Sequence, residues 1–389
     1  MFYLGIDIGK NTHVASLVDD KKNVIFKAFS FSNSIDGAES LILKLEAFKN
    51  ELEVGMEATG HYWLSLYSYL AQKNFTVRVI NPIQTDGWRQ GVEIRKRKTD
   101  IIDSLLIADL LRYGDFVETS LSNEDYLSLR NLSRFRSYLI SSIGDLKRKT
   151  IALLDQVFPE YASSFSNIFG KTSKEILSNF STPSDFEDIN SDDLNTFLES
   201  VTRKNYASKK IDELSKKASS SFGINFCLDS FSLQIKMLIE QISFIQNQVS
   251  DVENEIEVLL EKLNSPITTI PGIGSVNAAT ILGEIGDIKR FSNPSKLVAY
   301  AGLDASISQS GEYESTYNHM SKRGSPYLRR ALFQSALRAE FCDPVFSDYY
   351  QKKISEGKHH LVATNAVARK LCHTIFAVLT KNEPYQVQS

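Results

Sequence analysis

Apolar and polar residues alternate over the first thirty positions of the chain. Residues 3–8, 13–18 and 24–31 each carry the two-residue period of a half-buried strand, and Gly9-Lys10-Asn11 and residues 19–23 supply turn formers between them. The period then lengthens. It predicts a helix near 36–49, a strand at 52–56, a helix near 62–72, a strand at 75–80 and a helix near 100–112.

Three strands joined by short turns and followed by strand–helix crossovers give the order βββαβαβα. That order predicts an N-terminal α/β domain with a ribonuclease-H-like fold over residues 1–115. A middle region, 116–264, reads as helical. From Ile235 the apolar positions run Leu238, Ile242, Ile245, Val249, Val252, Ile256, Leu259 and Leu263, with spacings of three and four in strict alternation. This is the seam of a coiled coil of about four heptads. Its partner is either a second copy of the chain or the helical stretch 123–158 lying antiparallel, and a dimer or tetramer is expected. Between the two stretches, 159–204 is rich in Ser, Asn and Asp and is expected to hold short helices at best.

Residues 265–389 form a third, mostly helical region. Pro271-Gly272-Ile273-Gly274 precedes a helix-like run, and Ser325-Pro326 is a cap followed by a first-turn proline for a helix at 327–341. Another helix is expected at 359–380.

Composition narrows the function classes mainly by exclusion. No apolar run approaches the roughly 18 residues of a membrane span, and no signal peptide is read at the start, so a cytoplasmic protein is expected. Cys227, Cys342 and Cys372 form no CxxC pair, which speaks against a disulfide framework and a thiolate zinc site. Net charge is −3, but the positive charge is clustered. Arg89, Arg95, Lys96, Arg97 and Lys98 face one acid, Glu93. Lys322, Arg323, Arg329, Arg330 and Arg338 occupy a stretch without acids. Two such runs flanking candidate sites suit nucleic-acid phosphate.

Four carboxylates carry the candidate chemistry. Asp7 lies on the first strand, Glu57 just past the end of the fourth, and Asp100 and Asp103 on one face of the helix that begins there. In the expected fold the first and fourth strands are central neighbours and the last helix crosses their ends. Carboxylates gathered in this way repel one another unless hard cations compensate them, and Mg²⁺ or Mn²⁺ is the expected cofactor. Paired metals there would act on a phosphodiester. Gly5 to Gly9-Lys10 leaves three intervening residues rather than the four of a phosphate-binding Walker loop, so no nucleotide is expected.

These residues in this order resemble the DEDD transposases of the one-ten family of insertion sequences. The matching strings are Gly5-Ile6-Asp7-Ile8-Gly9-Lys10, Gly55-Met56-Glu57-Ala58-Thr59-Gly60 and Lys98-Thr99-Asp100-Ile101-Ile102-Asp103. Toward the C-terminus they are Ile270 to Gly274, Ala299-Tyr300-Ala301-Gly302-Leu303, Gln309-Ser310-Gly311 and Ser321-Lys322-Arg323-Gly324. The resemblance covers nearly the whole chain outside the 159–204 insertion. It implies a RuvC-like domain whose acids Asp7, Glu57, Asp100 and Asp103 bind metal, and a C-terminal transposase domain whose serine, here Ser310, attacks DNA. On the residues alone Ser306, Ser308 and Ser321 are equivalent candidates. The family also implies a bridge RNA that guides the enzyme to donor and target DNA. Pilin-gene invertases share both domains, so inversion and transposition both stay open.

The candidate nucleic-acid contacts are Arg95, Lys96, Arg97 and Lys98 in the first run, and Lys322, Arg323, Arg329 and Arg330 in the second. Gly272 and Gly274 join them if the PGIG turn is the hairpin of a helix-hairpin-helix module, which offers backbone N–H groups to phosphate. A helix-connecting turn that needs glycine geometry is the alternative. Three function classes therefore compete: a serine-dependent transposase or recombinase, a RuvC-type metal-dependent nuclease, and a non-catalytic nucleic-acid scaffold.

Overall fold

A computed structural model of the 389-residue chain describes every residue except 59, 93–98, 115, 117–122, 188, 202, 305–308, 311–312, 315–318 and 388–389, and additionally leaves out the side chains of 83, 92, 191, 309, 310, 313 and 314. The chain divides into two units, Met1–Leu121 and Ser122–Ser389.

The first unit is a mixed α/β domain. In chain order it comprises β1 (Phe2–Asp7), β2 (Thr12–Asp19), β3 (Val24–Ser32), α1 (Ile35–Leu45), β4 (Leu52–Glu57), α2 (Trp63–Gln72), β5 (Thr76–Ile80), α3 (Pro82–Val92) and α4 (Asp100–Tyr113). The five strands form one sheet in the order β3-β2-β1-β4-β5, antiparallel on the β1–β2–β3 side and parallel from β1 to β4 to β5. Strands 1 and 4 are thus central neighbours, as the sequence pattern requires. Alternation assigns the two faces. Leu4 and Ile6 of β1 and Val54 and Met56 of β4 are buried with Leu41 and Leu45 of α1 and Leu66 and Leu70 of α2. Gly5 and Gly55, on the opposite face, receive α4. A Cβ on Gly5 would run into the backbone of Ser104 and Ala108, so only glycine lets the helix lie this close.

The second unit is mostly helical. It contains α5 (Glu124–Val157), α6 (Lys171–Asn179), α7 (Pro183–Glu187), α8 (Ser191–Ser200), α9 (Lys204–Ala218), α10 (Leu228–Leu263), α11 (Ser275–Ile285), α12 (Pro294–Tyr300), a hairpin of β6 (Gln309–Ser310) and β7 (Tyr313–Glu314), then α13 (Pro326–Cys342), α14 (Pro344–Ser355) and α15 (His360–Lys381). The long helices α5 and α10 lie antiparallel. Arg136 meets Glu253 at 2.6 Å and Lys262 meets Asp125 at 2.7 Å, a register possible only when the two run in opposite directions.

The periodic seam of α10 therefore finds a partner within the chain. Its buried side is also wider than a two-stranded coil needs. Ile239 is buried beside Ile235, Leu238 and Ile242, because α6 packs on α10 as well. Each such side chain contributes about 1.5–3 kcal/mol by leaving water.

The Ser/Asn/Asp-rich stretch is more ordered than its composition suggests. Phe158, Tyr161, Phe186 and Phe197 are buried in one core with the flanks of α5 and α10. The Tyr161 hydroxyl bonds the carbonyl and hydroxyl oxygens of Ser173 at 3.1 and 3.0 Å. Aromatic residues at irregular spacing supply this core, which periodicity does not register. A second core joins the C-terminal half of α10 to α11–α15. Among the described residues no helix is long and apolar enough to cross a membrane.

Candidate active site

The sheet register brings two of the acids together. Ile6 pairs with Met56 across the parallel β1–β4 ladder, so Asp7 and Glu57, the next residues and the last of their strands, end up side by side. Both lie two positions beyond the glycines that contact α4, hence on the face α4 covers. That helix runs against the strands. Ile107 and Leu111 lie over Gly55 and Ser104 and Ala108 over Gly5, while Arg112 of its last turn reaches the Asp20 carbonyl (3.4 Å) near the start of β1, so its first turn points toward the other end of that strand. Thr99 caps the helix, its hydroxyl accepting the Ile102 N–H at 3.3 Å, and Asp100 and Asp103 stand in the first turn. Asp103 is buried and Asp100 is exposed.

Helix α3 adds two residues that the hydrophobic pattern missed. The Thr85 hydroxyl lies 2.8 Å from Glu57 Oε2 and 2.9 Å from the Pro82 carbonyl, either of which accepts its proton. One helical turn later Arg89 donates through Nη2 to Asp103 Oδ1 at 2.9 Å and through Nη1 to Asp86 Oδ1 at 3.0 Å. On β2, His13 is buried and accepts the Gly9 N–H at Nδ1, 3.3 Å away, fixing the turn that follows Asp7. Burial pushes the His13 imidazole below its usual pKa, which keeps Nδ1 an acceptor at neutral pH; the nearby Asn33 side chain opposes this more weakly.

In the second unit Ser310 lies on β6, paired with Tyr313 of β7. The chain around this hairpin is pinned at its base. Asp304 accepts the Ser321 N–H at its carbonyl (2.9 Å) and the Ser321 hydroxyl at its carboxylate. Lys322 N–H bonds Gly302 O at 3.2 Å, and Ser325 N–H bonds Tyr300 O at 3.3 Å. The Ala299–Leu303 and Ser321–Gly324 strings therefore run together. Ser325 caps α13 as its sequence suggests, accepting the Leu328 N–H at 3.2 Å. Lys322, Arg323 and Arg330 are exposed, whereas Arg329 turns inward to the carbonyls of Ala301 (3.2 Å) and Gly324 (3.5 Å). The PGIG turn joins a single 3-10 turn, Pro266–Thr269, to α11. Gly272 sits against α13, and Gly274 opens on free space at the start of α11.

Comparison with known proteins shows the family. A family model described as transposase matches residues 4–159, and one described as transposase of the IS116/IS110/IS902 family matches residues 264–351. The first spans Asp7, Glu57, Asp100 and Asp103, and the second spans Ser310 and the pinned strings. The chain belongs to this transposase family. It is similar to the pilin gene-inverting protein of Moraxella bovis, with 24% identity over 98% of this chain and 97% of the relative. It is also 25% identical to the insertion element IS116 44.8 kDa protein of Streptomyces clavuligerus, over 97% and 94% of the two chains. The insertion element IS110 43.6 kDa protein of Streptomyces coelicolor matches at 30% over 40% of this chain and 39% of its own length. The transposase is a DNA recombination enzyme.

The four candidate acids of the transposase's first unit offer only carboxylate oxygen, a donor that suits a hard divalent cation. Among the described residues, however, no three acids, histidines or cysteines are grouped closely enough to hold one as they stand. Arg95, Lys96, Arg97 and Lys98 lie outside the described residues, as does the Ser310 side chain. Arg89 stood in the sequence as the first member of a basic run, and Thr85 with it as an i, i+4 polar pair between the strand of Glu57 and the helix of Asp100. The glycines at 87 and 91 masked the helix that carries them.

Proposed function

We propose that this transposase cuts and rejoins DNA through Ser310, assisted by the acids Asp7, Glu57, Asp100 and Asp103. The observation that supports it best is the register that sets Asp7 beside Glu57 on the sheet face that α4 covers. The serine oxygen attacks a phosphodiester phosphorus, the bond to one sugar oxygen breaks, and that oxygen leaves with a proton. The resulting phosphoserine diester is close in energy to the bond it replaces, so reversal onto a new sugar hydroxyl reseals the strand without ATP. Asp7, Glu57, Asp100 and Asp103 would hold Mg²⁺ or Mn²⁺, which stabilises charge on the attacking and leaving oxygens when bound. Thr85 orients Glu57, His13 holds the turn that follows Asp7, and the pairing of Asp304 with Ser321 holds the base of the segment that carries Ser310.

Lys322, Arg323 and Arg330, with the run Arg95 to Lys98, contact phosphate, and the Gly274 N-terminus of α11 adds backbone donors. Donor and target DNA are read by a guide RNA of the bridge type, which suits a chain in which no base-reading module is evident. Two DNA segments must be held at once, and the active form is a homo-oligomer, a dimer or a tetramer. The test uses a reaction stopped partway. DNA should remain covalently attached to the peptide containing Ser310, and Ser310→Ala should lose both adduct and strand exchange while still binding nucleic acid. Asp7→Asn should abolish recombination in a folded protein. Normal cleavage by Ser310→Ala would return the enzyme to a metal-dependent nuclease of the RuvC type.

A further inference from the structure

We propose that Arg89 is a built-in counter-ion of the acid cluster, and that a divalent cation binds there by displacing its guanidinium from Asp103. This rests on the reading of the four acids as a metal site. Arg89 and Asp103 are both withdrawn from water, with side chains 15% and 10% exposed, and their charged atoms meet at 2.9 Å. An ion pair so placed is a strong competitor for the carboxylate, because little solvent screens it. The second arm of the same guanidinium bonds Asp86, which is 69% exposed. Arg89 therefore bridges a buried acid and a surface acid, and it keeps a charged partner when the inner bond opens.

The rest of α3 is arranged to the same end. Thr85 lies one turn before Arg89 on the same helical face and reaches Glu57 while Arg89 reaches Asp103. One helix face thus addresses two acids that come from different elements. Carboxylates gathered at one point destabilise one another unless positive charge is nearby. A guanidinium supplies one unit of charge and a divalent cation two. The cation gains Asp103 as a ligand, and the guanidinium swings toward Asp86 and solvent. No proton or electron changes hands.

The experiment measures metal binding directly, on the full-length protein, with Mn²⁺ followed by its free-ion paramagnetic resonance. Removing one positive charge at this distance should tighten Mn²⁺ binding by about tenfold in Arg89→Gln. Arg89→Met, which keeps the apolar stem, should do the same. Arg89→Lys, which keeps the charge, should stay within about threefold of wild type. In an Asp103→Asn background Arg89→Gln should change nothing. The melting temperature offers a second readout, since the gain on moving from chelator to Mn²⁺ should be larger in Arg89→Gln than in wild type. Asp7-dependent Mn²⁺ binding that is unchanged or weaker in both Arg89→Gln and Arg89→Met overturns the counter-ion role and leaves the metal site standing. Absence of Asp7-dependent Mn²⁺ binding in every variant overturns the metal site and this proposal with it.

Discussion

Gly272→Ala separates packing from phosphate binding in the PGIG turn. Gly272 has φ = +87°, a region an alanine enters at a cost of about 1–2 kcal/mol. Its new Cβ would overlap the Ser335 carbonyl oxygen and lie 2.7 Å from the Ala339 nitrogen, both backbone atoms of α13 that no side-chain rotation relieves. Forcing that overlap adds about 1–3 kcal/mol. The sum, about 2–5 kcal/mol, lowers the melting temperature of a domain this size by roughly 5–15 °C. Gly274 is the control. It has φ = −85° and a Cβ there meets nothing, so Gly274→Ala should cost under about 1 kcal/mol, the loss of a favoured N-cap residue. The two units can be followed independently. Both tryptophans, Trp63 and Trp88, belong to Met1–Leu121, so their fluorescence reports the first unit, while far-ultraviolet circular dichroism is dominated by the helices of the second. Gly272→Ala should move the dichroism transition and leave the tryptophan transition in place. If Gly272→Ala melts with wild type and only loses nucleic-acid affinity, the packing argument is wrong and the glycine serves phosphate.

Three further outcomes follow from the second unit. Asp304→Ala and Ser321→Ala should each reduce strand cleavage at least about tenfold with folding and nucleic-acid binding kept, and the double variant should be no worse than either, since both break one contact; independent, additive losses in the cleavage assay would show that the pair does not act as a clamp. Arg134→Met leaves the Glu284 carboxylate, 1% exposed, with Arg130 at 3.9 Å in place of bonds at 2.7 and 3.0 Å, and should cost about 3 kcal/mol in urea unfolding; adding Glu284→Gln should recover more than half of that. Glu340 is buried, and burial raises its pKa despite the bond from Thr364 at 3.1 Å. An acid whose folded pKa is raised contributes stability below its unfolded pKa that is lost as pH rises through the folded one. Glu340→Gln should therefore melt above wild type on the alkaline side, with the difference vanishing toward acid; a constant difference across pH would refute it.

The period-two and period-3.6 patterns of the first unit were sufficient to place nearly every element and, through the order of strands, to bring Asp7 and Glu57 together. Local physics decides those features. Alternation sets the face of a strand, and the run of strands and crossovers leaves β1 and β4 as neighbours. Ser325-Pro326 likewise announced α13, because a cap and a first-turn proline act within one turn of helix. What lay beyond that reach was decided by the tertiary structure. Helix α3, with glycines at 87 and 91 and little apolar stripe, exists because the sheet and α4 give it a surface, and only there do Thr85 and Arg89 meet Glu57 and Asp103. The 3-4 seam of α10 stated that a partner was needed but not which, since α5 and a second chain satisfy the same spacing. The bond of Arg329 to the Ala301 carbonyl and the approach of Gly272 to Ser335 and Ala339 of α13 depend on residues far along the chain. A periodic pattern carries no information about such pairs, because it records which face a residue lies on and not what that face will meet.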